Sequence, residues 1–333
     1  MPSRPFRGHC AAICGLVLAI LPAAIPAATE SPVTRPVDIA TYAADGRQPI
    51  EALYVSYLSL VREGWTLEVL TESQPAGTVA PLPILSLRSP RRGPAVWILA
   101  GIHGEEPAGP NAIAETIDDI AALGRRRPVV LLPLLNPHGY VRNWRYLNVP
   151  VYSETVDGQS VGDSSHLLPS SEDPVRARAD APSSAEAGAI TAFILRQLED
   201  YPPACSIDLH EDNLLDEGYV YSQGAQGAAD PLAIEAVAVL KAEGVPIKMG
   251  GHTRFDESIT GGIVGPVVDS SIDELMSSAT VITDDGALPG PAAPAVLVFE
   301  TPAAALPLPQ RVRAHAALLR RLTPLINVAN LRP

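Results

Sequence analysis

Four short apolar runs, at residues 95–100, 128–135, 204–209 and 295–299, each break off at a polar segment rich in Gly, Pro, His, Asp or Glu. A short apolar run without alternation marks a strand buried on both faces, as found where helices cover both sides of a parallel sheet. Amphipathic stretches separate the runs. After Pro110, the residues Ile113, Ile117, Ile120 and Leu123 recur on one helical face until Gly124. Ser183 and Glu186 have capping-box spacing for a helix reaching about Leu198, and residues 231–242 read as a helix ended by Gly244. Residues 310–328 close the chain as a helix. This alternation predicts an α/β fold: a single domain with a mostly parallel, twisted mixed sheet flanked by helices.

The chain has 333 residues, 47% of them hydrophobic and 18% charged, which supports a substantial core. Aromatic residues make up only 5%, so Ala, Val, Leu and Ile must fill that core. The first 27 residues have the pattern of an export signal. Arg4 and Arg7 form a basic start, residues 10–25 an apolar stretch, and Ala24-Ile25-Pro26-Ala27-Ala28 a small-residue cleavage site after Ala27. The expected location is therefore outside the cytoplasm, periplasmic or extracellular, with no stable membrane partner once the signal is removed. Cleavage would leave Cys205 as the one cysteine, unable to form an intramolecular disulfide. It would also leave 22 basic residues against 37 acidic ones, a formal charge of −15. Such a balance argues against nucleic acid as a partner.

Residues 28–89 read as an irregular leader to about residue 50, a helix over 50–62, and strands at 66–71 and 82–87. Residues 90–330 form the main body. Two long loops, 146–182 and 250–290, are rich in Gly, Ser, Asp and Pro; loops of that length in a compact domain are usually functional.

Chemistry gathers where the apolar runs stop. His103 and Glu106 follow the first within Gly-Ile-His-Gly-Glu-Glu, and Asn136-Pro137-His138-Gly139 follows the second, with Arg142, Trp144 and Arg145 just beyond. Asp208-Leu209-His210 ends the third, and Glu300-Thr301-Pro302 the fourth. In an open α/β sheet, sites form at the carboxyl ends of strands. Two imidazoles and a carboxylate can hold zinc with a position open to water, and a further carboxylate can take that water's proton. His103, Glu106 and His210 are the candidate metal ligands. His138, His166 and His252 lie in loops and remain possible ligands, whereas His315, in the closing helix, reads as structural. Glu300, after a run of apolar residues, is the candidate general base. Arg145 is placed to stabilise an oxyanion, and Asp208 to orient His210.

These segments, in this order, resemble the zinc carboxypeptidase family. His103 and Glu106 match its HxxE, and His210 its downstream ligand. Asn136-Pro137-His138-Gly139 is similar to its Asn-Pro-Asp-Gly turn, Trp144-Arg145 to its Trp-Arg, and Glu300 to its catalytic Glu. The resemblance implies a carboxypeptidase-like fold, one zinc ion and hydrolysis of an amide bond. Two features depart from the family. Its Asp-Leu-Asn-Arg segment stands here as Asp163-Ser164-Ser165-His166, without the guanidinium that binds a substrate carboxylate. No Tyr lies between Tyr221 and Glu300 to serve as its capping tyrosine. Asp208-Leu209-His210 and Glu300-Thr301-Pro302 also resemble the succinylglutamate desuccinylase and aspartoacylase branch.

The sequence thus leads to an exported zinc-dependent hydrolase. A metallocarboxypeptidase-like peptidase acting on peptides, cell-wall peptides included, is the main expectation, and a deacylase of N-acyl amino acids or related small amides and esters is the alternative. Asn136, Arg142, His166, His252 and Arg254 are the expected substrate contacts.

Overall fold

The structure, a computed structural model, describes residues 40–73, 81–147 and 162–328. The expected signal, residues 1–27, lies outside them, as does part of the 146–182 loop. Helix α1 (Ile50–Arg62) buries Ile50, Leu53, Tyr57 and Leu60, one stripe at helical spacing. Strands β1 (Thr66–Ser73) and β2 (Leu82–Arg88) pair antiparallel. Then comes β3 (Ala95–Ala100), with every residue buried.

The expected single helix after Pro110 is two helices, α2 (Ala108–Glu115) and α3 (Ile117–Gly124). They part at Thr116, whose backbone leaves helical geometry at φ −111° and ψ 20° and whose hydroxyl donates to the Ala112 carbonyl at 2.7 Å. A β-branched residue that bonds back to its own preceding turn favours such a break. Strand β4 (Val129–Leu132) is shorter than the apolar run around it. A short helix, α4 (Pro137–Arg142), follows within the stretch expected to be loop. Helix α5 (Ala185–Gln197) is capped by Ser184, not Ser183: the Ser184 hydroxyl accepts from Ala187 N at 3.0 Å. Ser183 instead donates to Asp163 Oδ1 at 3.3 Å.

Strand β5 (Pro203–Asp212) runs three residues past the expected end, so His210 lies within it. Strand β6 (Tyr219–Ser222), not anticipated, precedes α6 (Pro231–Ala242). The 250–290 segment folds into small elements: β7 (Gly250–His252), β8 (Ser258–Thr260), β9 (Ile263–Val264), α7 (Ile272–Ser277), β10 (Thr280–Thr283) and β11 (Gly286–Pro289). Strand β12 (Val296–Pro302) and helix α8 (Leu308–Val328) complete the fold.

Ten strands form one mixed sheet in the order β1-β2-β4-β3-β5-β12-β6-β9-β8-β7. The centre, β4-β3-β5-β12, is parallel; β2 and β6 join it antiparallel, and β1 pairs antiparallel with β2 at the edge. Because side chains alternate along a strand, the sheet divides the core in two. Val96, Ile98, Cys205, Ile207, Leu209, Leu297 and Phe299 face the cluster with α1, α2, α6 and α8. Ala95, Trp97, Leu99 and Val296 face the cluster with α5 and α7. On this second face β5 and β12 turn from apolar to polar, presenting Asp208, His210 and Glu300. No helix among the described residues is long and apolar enough to cross a membrane.

His315 is fully buried in α8, with Nε2 3.0 Å from Thr301 Oγ1. Burial, with Arg311 adding, pushes its pKa down to about 3. The unfolded chain then takes up this proton near pH 6.5 and the folded one only near 3. His315 therefore contributes stability that is complete above pH 6.5 and lost as pH falls toward 3, up to about 5 kcal/mol. His315→Gln should flatten the fall in urea-unfolding free energy between pH 6.5 and 4; an unchanged slope would rule this out.

Candidate metal centre

His103 and Glu106 sit in the loop that leaves β3, beside the end of β5. Pairing of β3 with β5 sets Leu99 opposite Asp208 and Ala100 opposite Leu209, so the loop passes next to His210. One strand further, Glu300 of β12 is the register partner of His210. Glu106 lies between the two imidazoles: its Oε1 is 2.9 Å from His103 Nδ1 and its Oε2 3.1 Å from His210 Nδ1. The rings meet edge-on, with centroids 4.9 Å apart. The Glu211 backbone N–H also donates to Glu106 Oε2 at 3.1 Å, fixing the carboxylate to β5.

The loop is held by close backbone approach. A Cβ on Gly104 would lie 2.1 Å from the Gly139 carbonyl carbon, so any larger residue would separate the β3 loop from α4. Buried Arg47, in the expected irregular leader, donates to the Gly104 carbonyl at 2.9 Å and the Tyr140 carbonyl at 2.6 Å. That leader segment thus braces the centre. Asn136 does the same from below. Its Oδ1 caps α4 through Gly139 N at 2.7 Å, and its amide donates to the carbonyls of Ile102, Arg145 and Tyr146. Asn136→Ala removes the cap and leaves buried carbonyls unpaired. It should cost about 2–4 kcal/mol, measured as a drop in urea-unfolding free energy; a loss under 1 kcal/mol would show that the amide is not the brace.

Arg145 Nη1 donates to Glu105 Oε1 at 2.9 Å and Glu106 Oε1 at 2.8 Å. Its guanidinium thus lies against the metal-ligand candidate and lines the cavity. Burial opposes the charge on Arg145, but Glu106 and Glu105 outweigh it and raise the pKa. Burial, then Arg145, hold His103 neutral by lowering its pKa to about 4, the form in which an imidazole binds metal. For His210, burial acts downward and is overcome by Asp208 and Glu106. Asp208 Oδ2 lies 3.3 Å from His210 Nε2, on the ring edge away from Glu106. Burial raises the pKa of Glu300 well above the ordinary carboxylate range; Glu106 and Asp212 add to this, while His210 and Arg145 oppose it.

One ligand atom from each of His103, Glu106 and His210 lies within 4.8 Å of the others. Two neutral-capable imidazoles and a carboxylate, closing on one point at the wall of a cavity, fit a zinc ion with room for a further ligand. The cavity measures about 980 Å3 and is also lined by Asp163, Glu172, Arg178, Asp208, Tyr221, Phe255, Glu257, Asp269, Asp273 and Glu300.

The structure places the expected substrate contacts off the cavity lining. Asn136 is buried and internally bonded, as above. Arg142 is exposed at the end of α4 and does not line the cavity. His166 borders a separate shallow depression and bonds Thr191 Oγ1 at 3.2 Å, so it does not replace the missing arginine. His252 and Arg254 are exposed near the β7 edge; only Phe255, whose ring underlies the Arg254 guanidinium at 4.4 Å, reaches the cavity. His138, buried within α4, is also off the cavity lining.

Sequence reasoning missed three residues. Arg178 lines the cavity but is clamped by Glu274 through two bonds of 2.7 and 2.6 Å. Tyr221, on the unanticipated β6, donates to Glu257 Oε2 at 2.8 Å. Asp273 lies in α7, whose start carried a readable signal: Ser271 and Glu274 have capping-box spacing, and Ser271 Oγ accepts from Glu274 N at 3.0 Å.

Residues 92–163 match the succinylglutamate desuccinylase/aspartoacylase catalytic domain. That span holds His103, Glu106 and Arg145, but neither His210 nor Glu300. Over most of the chain the likeness is to solved structures. A metallo-carboxypeptidase from Burkholderia cenocepacia superposes with a TM-score of 0.53 at 14% identity, covering 86% of this chain and 70% of its own. The fold is that of the metallo-carboxypeptidases. Carboxypeptidase A from Helicoverpa armigera gives 0.54 at 13% identity, covering 89% and 76%. A candidate metallopeptidase of Shewanella amazonensis SB2B superposes with a TM-score of 0.64 at 22% identity, covering 84% and 92%. No curated protein matches the chain.

Proposed function

We propose that the chain is a zinc-dependent hydrolase of amide bonds, a metallocarboxypeptidase-like peptidase exported from the cytoplasm and acting on peptides. One observation carries the reading: Glu106 lies between His103 Nδ1 and His210 Nδ1, while Glu300 stands beside His210 on the neighbouring strand. The carboxypeptidase-like fold and the catalytic-domain match over residues 92–163 support it. Bound by His103, Glu106 and His210, zinc would act as a Lewis acid that polarises the scissile carbonyl and acidifies water. Glu300, its proton affinity raised by burial, takes a proton from the attacking water and delivers it to the leaving amine. Arg145 lends positive charge to the oxyanion that develops at the carbonyl.

The cavity charge bears on the substrate. Asp163, Glu172, Glu257 and Asp269 also line it, while its two arginines are paired with Glu105, Glu106 and Glu274. This lining favours a substrate with an ammonium or guanidinium group near the scissile bond and disfavours a free carboxylate. A second reading, a deacylase of N-acyl amino acids, is favoured by the match over residues 92–163.

A panel of zinc-loaded assays separates them. Peptides with a basic residue or free amine beside the scissile bond should be cleaved at least tenfold faster, in kcat/KM, than N-acetyl, N-succinyl or acidic substrates. Turnover confined to N-acyl amino acids would transfer the assignment to the deacylase.

A further inference from the structure

Where β6 borders the cavity, one carboxylate is held in place with an oxygen to spare. Tyr221 of β6 is the register partner of Val298 on β12, and Tyr219 that of Glu300. Val298 and Glu300 share a face of β12, so Tyr221 stands one same-face step from the general base proposed above. The Tyr221 hydroxyl donates to Glu257 Oε2 at 2.8 Å, and the buried Thr253 hydroxyl donates to the same oxygen at 2.6 Å. Two donors on Oε2 fix the carboxylate, while Oε1 has no protein partner among the described residues. Burial, then Glu300 and Glu257, raise the pKa of Tyr221, so the phenol keeps its proton and gives it to Glu257. Its oxygen is left with lone pairs only, an acceptor like the carboxylate beside it.

Glu257 differs from the other acids of the lining. Glu172 and Asp269 are exposed, and Asp163 lies within the field of Arg145. Glu257 is half-buried, and Tyr221, Phe255, Val267 and Val298 give the same cavity aromatic and aliphatic walls. The Arg254 guanidinium lies over the Phe255 ring at 4.4 Å and is off the cavity lining. Apolar walls with two acceptor oxygens match a methylene chain that ends in an ammonium group, whose three N–H bonds need acceptors. We infer that Glu257, oriented by Tyr221 and Thr253, binds the ammonium group of a lysine-type side chain and sets specificity for that residue beside the scissile bond. Glu257 and the Tyr221 oxygen would touch the substrate, and Thr253 is a positioning residue that acts through Glu257. This subsite rests on the hydrolase reading proposed above and names the residue that selects its substrate.

Matched peptides with lysine or norleucine beside the scissile bond, assayed on the zinc-loaded full chain, isolate the ammonium group. The lysine peptide should be preferred about tenfold in kcat/KM, with the difference carried by KM. Glu257→Gln keeps an acceptor for both hydroxyls and should abolish most of that preference, whereas loss of a purely structural contact would slow both peptides alike. A preference that survives in Glu257→Gln, or none in the unsubstituted chain, would overturn the subsite and leave the hydrolase reading intact. Binding of lysinamide and norleucinamide to the zinc-free chain, measured by titration calorimetry, needs no turnover. Tighter binding of lysinamide, lost in Glu257→Gln, would uphold the subsite even if no peptide were cleaved, and that result would remove the hydrolase reading alone. Equal binding of the two amides by the unsubstituted chain would overturn the subsite without any variant having to fold.

Discussion

Glu300→Gln will lower kcat by about 10²–10⁴-fold and leave the zinc content of the chain unchanged. Glutamine keeps the volume and one acceptor of the glutamate but cannot hold a proton, so the change isolates proton transfer. The position suits the role. Glu300 is the register neighbour of His210 across parallel strands, and the cavity lies over both. Its surroundings keep its proton affinity high: burial contributes most, and Glu106 and Asp212 add their negative charge. A base near the working pH gives the largest product of ionised fraction and basicity. Steady-state kinetics with the best substrate of the panel, paired with a zinc assay, reads the outcome. Full activity with zinc retained would remove Glu300 from the mechanism.

Arg311→Met will destabilise the fold by about 3–5 kcal/mol. Glu211 points away from the cavity, into the layer between β5 and α8, where its Oε1 pairs with Arg311 and its Oε2 accepts from Ala108 N at 2.8 Å. The Glu211 side chain is fully buried and that of Arg311 7% exposed. Burial lowers the Arg311 pKa to about 10, leaving it charged at neutral pH. Methionine fills most of the space but leaves Glu211 charged in an apolar layer with one amide to satisfy it. The double variant Arg311→Met/Glu211→Gln should recover a large part of the loss, since the amide can still accept from Ala108 N at the start of α2. Urea unfolding of both variants measures this. A single variant within 1 kcal/mol of the unsubstituted chain would show that the pair is not a structural tie.

The candidate ligands were legible because each follows an apolar run, and runs of that kind form the parallel centre of the sheet. The same cue misjudged where β5 ends. Glu211 and Asp212 look like loop residues, but Asp212 is satisfied by the turn that follows, through Leu214 N, Leu215 N and the Tyr219 hydroxyl, and Glu211 by Arg311, distant in sequence. A charge whose partner lies a hundred residues away carries no local signal. Arg178 suffers from the same limitation, being indistinguishable in sequence from its exposed neighbour Arg176 until Glu274 is seen to clamp it. Asn136 illustrates the opposite error: an amide in a motif invites a binding role, whereas here its four hydrogen bonds all go to the backbone that carries His103 and Arg145. His166, His252 and Arg254 have suitable chemistry for substrate contact, but the fold puts them off the cavity.

The most direct test of the central claim is zinc bound per chain together with peptide hydrolysis, before and after chelation. The reconstituted chain is expected to hold zinc, a chelator to remove it and abolish hydrolysis, and added zinc to restore both. No zinc retained after reconstitution, or hydrolysis that persists without metal, would contradict the claim.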